Sequence, residues 1–104
     1  MERFGLYTRF TAQTGQRDRL VAQLRRAAAL MEQAPDCVLY LVNTEFGDPA
    51  TVWVTEVWNS EAAHRGSLAL AGVPKLIQET LPLLSGSPEQ IRLTVLGGKG
   101  VADQ

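Results

Sequence analysis

Cysteine and histidine each occur once, as Cys37 and His64. A single thiol excludes an intramolecular disulfide framework and any zinc site built from several cysteines; a single imidazole excludes the usual histidine-rich metal centres. Charge of one sign is also missing, because ten Lys and Arg face eleven Asp and Glu for a formal net charge of −1. That balance does not suit a chain that grips nucleic acid through a basic face, and Arg25-Arg26 reads as the solvated edge of a helix. Long apolar runs are absent too. The longest, Cys37 to Val42, falls well short of the roughly 20 residues that span a bilayer. Met1-Glu2-Arg3-Phe4 opens no apolar segment of the kind a secretory signal needs. Gly97-Gly98-Lys99-Gly100 has no helix after it, so it is a poor phosphate loop, and no dinucleotide fingerprint occurs elsewhere. The expectation is a cytoplasmic chain with no nucleic-acid or membrane partner and no cofactor.

What is present is enough for one core. The 104 residues, 45% hydrophobic and 20% charged, make a single domain at 1–104, with a core over about 4–96 and a mobile tail at 97–104. Residues 3–11 alternate, with Phe4, Leu6, Thr8 and Phe10 on one side and Gly5, Tyr7 and Arg9 on the other, as in a strand. From Gln16 to Ala34 the period becomes helical, with Leu20, Val21, Leu24, Ala27, Ala28, Met31 and Ala34 in one stripe and Pro35 as the stop. Residues 37–45 and 51–58 read as two strands of a hairpin around the Phe46-Gly47-Asp48-Pro49 turn. Asn59-Ser60 supplies N-cap chemistry for a helix carrying Ala62 to Ala71. Gly72 interrupts that helix, and Pro74 starts a second piece through about Leu84. Gln90 to Leu96 alternates again, with Ile91, Leu93 and Val95 on one face.

The order is β-α-β-β-α-β, the ferredoxin-like α+β arrangement: an antiparallel sheet with its helices on one face. The other face would be bare. Large apolar groups nevertheless occupy both sides of these strands, with Val38, Tyr40 and Val42 opposing Leu39 and Leu41. A sheet flanked by water on one side would be apolar on the other side only. A homodimer through the bare face is the expectation.

One segment carries a family resemblance. Glu56-Val57-Trp58-Asn59-Ser60-Glu61-Ala62-Ala63-His64-Arg65-Gly66-Ser67 is similar to the Glu-x-Trp strand end and Asn/Asp-Ser-x-x-x-His-x-x-Ser helix of the antibiotic biosynthesis monooxygenase family. Pro35-Asp36-Cys37 resembles that family's Pro-Gly-Cys, with Asp in place of Gly. The resemblance implies a dimeric α+β barrel with a pocket between sheet and helices in each subunit. It also implies oxidation of quinols or polyketide anthrones by O2 without metal, flavin or nicotinamide. Heme degradation, the activity of another branch, is less well matched. That branch carries an Asn–Trp–His set, and here Leu6 and Tyr7 occupy the first-strand region where its Asn would stand.

Ground-state O2 is a triplet and reacts slowly with closed-shell molecules, but an electron-rich phenolate or enolate can give it one electron. A protein promoting this without a cofactor needs an apolar pocket, a group that takes the proton, and donors for the anion. Trp58, Trp53, Tyr7 and Tyr40 are candidate walls, although the two tryptophans, five residues apart, point to opposite faces of a regular strand. Of the two, the resemblance selects Trp58, through the Glu-x-Trp motif; Trp58 and His64, whose imidazole ordinarily titrates near pH ~6.5, are the candidate catalytic residues. His64 shares a helix face with Ser67 and Leu68; it reads either as a general base or as a histidine closing the helix–sheet seam near Glu56. Trp58 reads either as a pocket wall or as a core residue. Glu56, a carboxylate in an apolar row, needs a partner such as Arg9, Arg92 or His64, and serves either as a structural ion pair or in the site. Asn43, Asn59, Ser67 or Arg9 could orient a substrate oxygen. The leading reading is a cofactor-independent monooxygenase in which Tyr7 and Trp58 hold a quinol or polycyclic phenol and His64 assists deprotonation. In it Asn43, Glu56, Ser67 and Leu68 complete the substrate site. The alternative is a non-catalytic dimeric barrel that binds a small aromatic ligand.

Overall fold

The structure, a computed structural model, describes residues 2–101. Strand β1 (Arg3–Thr11) leads to helix α1 (Arg17–Leu30), which tightens into a 3-10 turn at Met31–Gln33. Strands β2 (Cys37–Thr44) and β3 (Thr51–Trp58) form the hairpin. Helices α2 (Glu61–Ser67) and α3 (Val73–Thr80) follow, then a second 3-10 turn at Leu81–Leu83 and strand β4 (Glu89–Val95). The sheet order is β2-β3-β1-β4, antiparallel throughout. The ferredoxin-like α+β fold read from the periodicities is the one observed. Of the expected mobile tail, residues 102–104 lie outside the described residues, while Gly98 and Val101 pair in an isolated bridge.

Alternation assigns the two faces. Phe4, Leu6, Thr8 and Phe10 of β1 and Val52, Val54, Glu56 and Trp58 of β3 share the face under the helices. There Leu20 and Leu24 of α1 pack on Ala12, Val52 and Val54, and Met31 and Val73 pack on Trp58. On β2 a bulge between Cys37 and Leu39 breaks the alternation. It places Cys37 opposite Trp58 and Tyr40 opposite Glu56, so both face the helices. β4 is inverted: Gln90 and Arg92 sit beside Thr8 and Leu6 on the covered face, while Ile91 and Leu93 flank Tyr7 and Gly5 on the open one. A methyl at Gly5 would stand 2.9 Å from Val95 Cγ2 and 3.3 Å from Leu93 Cβ, so a side chain there would have to push Val95 aside.

The helix expected to run to Ala71 ends at Ser67. Ser67 Oγ donates to the His64 carbonyl at 2.6 Å, and the amides of Leu68, Ala69 and Leu70 turn to carbonyls three residues back. That local competition winds the chain down into a tight turn. Gly72, at φ +87°, then reverses it into α3, where Pro74 fits the first turn.

Candidate active site

A cavity of about 270 Å³ lies between the sheet and the helices. Leu24, Ala27 and Met31 wall one side and Val73, Leu76 and Ile77 the other, while Thr8, Phe10, Tyr40 and Glu56 reach it from the sheet. Leu68 and Leu81, both well exposed, line it as well.

Glu56 is the centre of the polar groups. It is 8% exposed, in an otherwise apolar row on β3, one of the two inner strands, and burial pushes its carboxyl up to about 7. The indole Nε1 of Trp58, two residues on and on the same face, donates to Glu56 Oε1 at 3.0 Å, which partly offsets that rise. His64 Nε2 stands 3.8 Å from the same oxygen. At that distance the two would form an ion pair only with His64 protonated, and burial first, then Arg65, hold the imidazole below its ordinary value. Both groups approach Oε1. Among the described residues Oε2 has no donor and is not sealed off, since the one fully buried side-chain polar atom without a partner is Gln16 Oε1.

His64 reaches this point because the start of α2 is fixed by a cap and by an ion pair to β4. Ser60 caps the helix by accepting the Ala63 amide at 3.0 Å, with Glu61 in the first turn suiting the positive end. Glu61 also pairs with Arg92 of β4, and that guanidinium lies 5.8 Å over the Phe4 ring. The imidazole is then held edge-on to Trp58 and tilted to Phe4, with centroids 5.7 Å away in each case.

The structure brings together Glu56, His64, Ser67, Leu68 and Tyr40. Several other candidates fall elsewhere. Tyr7 is on the open face, between Thr55 and Ile91, and does not reach the cavity. Asn43 lies on that face too, its amide 3.4 Å from the Trp53 carbonyl and from Thr55 Oγ1. Trp53 donates to Glu45 at 2.8 Å, and Arg9 pairs with Glu89, both away from the cavity. Trp58, 1% exposed, is core beneath the site and no wall of it; it contacts Glu56 rather than the space where a ligand would lie. Asn59 joins strand ends by donating to Asp36 and accepting from Arg3. Ser67 has spent its proton on the His64 carbonyl, so it can accept from a ligand hydroxyl but cannot donate to an anion.

Four polar residues of the cavity lining, Thr8, Gln23, Thr80 and Gln90, are not among the candidates read from the sequence. Gln90 donates to Thr8 Oγ1 at 3.4 Å, and Gln23 to Thr80 Oγ1 at 3.5 Å, two long contacts on the cavity lining. Thr8 was visible as the one polar member of an apolar row; Gln23 and Gln90 carry no signal separable from ordinary surface glutamines. Cys37 is a quiet thiol: burial and the Glu56 charge push it up to about 11, and it donates to the Leu39 carbonyl. Among the described residues no group of three or more His, Cys, Asp and Glu could hold a metal, and no helix is long and apolar enough to cross a membrane.

Comparison with known proteins gives the same fold throughout. A candidate antibiotic biosynthesis monooxygenase from Chloroflexus aurantiacus J-10-fl superposes with a TM-score of 0.86 at 35% identity, over 96% of this chain and 99% of that one. A protein of unknown function from Nitrosomonas europaea gives 0.80 at 25% identity, over 98% and 97%. SnoaB, a cofactor-independent oxygenase from Streptomyces nogalater, gives 0.81 at 20% identity over 96% and 99%, a likeness of fold. No curated protein matches. The family profile described as antibiotic biosynthesis monooxygenase runs through residues 3–75, spanning β1 to α3 and including Glu56, Trp58 and His64. The chain belongs to the antibiotic biosynthesis monooxygenase family.

Proposed function

We propose that this chain is a cofactor-independent monooxygenase that oxidises a quinol or polycyclic phenol with O2, and that Glu56 is its proton acceptor. The observation that carries the reading is a buried carboxyl near pKa 7, with one oxygen held and one free, beside a largely apolar cavity. A base poised near neutrality has both the right protonation state and enough driving force to ionise an acidic O–H. His64, held below its ordinary value and so neutral at pH 7, leaves the proton on Glu56 and can steady the protonated carboxyl.

The chemistry then balances without an added reductant. The substrate O–H gives its proton to Glu56, and the anion passes one electron to O2. The radical pair combines at a ring carbon that bears hydrogen, and the peroxide anion takes the proton back from Glu56. Loss of water from the resulting hydroperoxide leaves a carbonyl, with one oxygen atom in the product and one in water. SnoaB, on the same fold, is a cofactor-independent oxygenase, which supports the reaction class.

We also propose that the open sheet face pairs with a second copy. Tyr7, Leu41, Ile91 and Leu93 stand there together, Leu41 at 48% and Ile91 at 52% exposure, on a face that no helix covers.

The test is oxygen uptake by metal-free protein with a panel of hydroquinones and anthrone-like phenols, beside Glu56→Gln and His64→Ala. Uptake above the autoxidation blank that falls in Glu56→Gln supports the reading. Saturable binding with no uptake by any member sinks the enzyme and leaves a binding module.

A further inference from the structure

Beside Glu56 stands a second group whose hydrogen-bonding capacity the protein leaves unused. Tyr40 is directly opposite Glu56 in the β2–β3 register, and both side chains rise from the covered face into the same cavity. Its ring packs against both core clusters. A tyrosine so placed ordinarily finds a partner for its hydroxyl. Among the described residues this one has none, and its oxygen is not sealed from open space. Burial, and after it the Glu56 carboxylate, push the phenol above its ordinary range, so the hydroxyl remains a donor. Neighbouring donor and acceptor therefore stand side by side without closing on each other.

Their reach differs. A glutamate ends two carbons beyond Cβ, whereas a tyrosine hydroxyl stands a full ring beyond it. From Cα positions about 5 Å apart across a strand pair, the two polar ends meet a ligand at different heights above the sheet. One substrate oxygen does not satisfy both as readily as two.

We propose that Tyr40 is a specificity-determining residue of the cavity, its hydroxyl donating to a second oxygen of the substrate while the acidic O–H meets Glu56. The inference rests on the reading of the cavity as an aromatic-substrate site and narrows that reading to dihydroxy or hydroxy-keto ring systems over simple phenols.

Tyr40→Phe removes only the oxygen, so the test needs no turnover. Binding of 1,4-dihydroxynaphthalene and of 1-naphthol is followed anaerobically by tryptophan fluorescence, and the free variant is melted beside wild type. The expected result is an unchanged melting temperature, within about 2 °C, because no internal hydrogen bond is lost. Affinity for the diol falls about tenfold, the loss of one hydrogen bond, while that for 1-naphthol stays within about twofold. Equal weakening of both ligands, or of neither, overturns the proposal. A melting temperature lower by several degrees also overturns it, by showing that the hydroxyl has an internal partner. Should neither ligand bind wild-type protein, the aromatic-site reading falls and this inference with it; loss of discrimination alone leaves the Glu56 reading standing.

Discussion

The two faces of one sheet carry the same kinds of residue to different ends. Under the helices, Trp58 and Glu56 are 1% and 8% exposed, and the indole serves the carboxylate. On the open face Trp53 also donates to a glutamate, Glu45, but both partners there are in contact with water. Burial leaves the covered carboxyl near pKa 7, whereas the Glu45 side chain stands exposed to solvent. The chemistry of a Trp–Glu hydrogen bond is set by what surrounds it: desolvation, not the hydrogen bond, moves a pKa into the range of a working base.

The largest expected effect comes from Glu56→Gln. Oxygen uptake should fall by about 10³- to 10⁴-fold, the upper range for loss of a general base. Stability should move the other way. Glu56 rises from 4.5 in the unfolded chain to about 7 in the folded one, so the folded state holds a proton that the unfolded state releases. Wild-type stability therefore drains away as pH climbs between those values. The amide escapes that loss, and urea unfolding should show the variant more stable by roughly 1–3 kcal/mol at pH 8 and no more stable at pH 4. Removing His64 is a smaller blow, because it steadies the proton acceptor and is not itself the base. His64→Ala should lower kcat/KM by about 10²-fold and leave the midpoint of the pH profile to Glu56.

Trp58→Phe sharpens the contrast without removing either acid or base. The hydrogen bond from Trp58 lowers the Glu56 pKa, so its loss should raise the midpoint of the pH–rate profile. It leaves a buried oxygen short of a donor, at about 1–3 kcal/mol of stability in thermal or urea melts. On the open face, Tyr7→Phe should leave oxygen uptake within about twofold of wild type, since neither substrate nor Glu56 is reached from there. Leu41→Glu at the same face should instead move the sedimentation profile from dimer toward monomer; an unchanged profile would remove that face from the interface.

Much of this was legible in the sequence, and the gaps have physical reasons. Period-two alternation is a strong signal, so the strands and the presence of apolar groups on both faces can be read directly, whereas the inversion that turns Ile91 and Leu93 to the open face needs the β1–β4 register. Alternation puts Tyr7 on the side away from Phe4 and Phe10, but it cannot say which face the helices cover, so the sequence alone does not separate Tyr7 from the cavity residues it never meets. Asn43 depends on register, which the bulge at Cys37–Leu39 resets. Whether Trp58 lines a cavity or fills the space below it depends on how deeply Met31 and Val73 press on the sheet, a tertiary fact with no local signature. The early end of α2 rests on the Ser67 hydroxyl choosing the His64 carbonyl. The hydrogen-bond partner of Glu56 is the Trp58 indole, which is not among the candidates read from the sequence; of those, Arg9 and Arg92 pair with Glu89 and Glu61, and His64 stands 3.8 Å away.

The most direct measurement is the titration of Glu56 itself, by NMR of the side-chain carboxyl in protein labelled with ¹³C at glutamate, with Glu56→Gln to assign the signal. A midpoint near 7 is the result this account predicts. A midpoint near 4.5, the ordinary value, would make Glu56 a permanently ionised structural carboxylate and contradict its role as the proton acceptor.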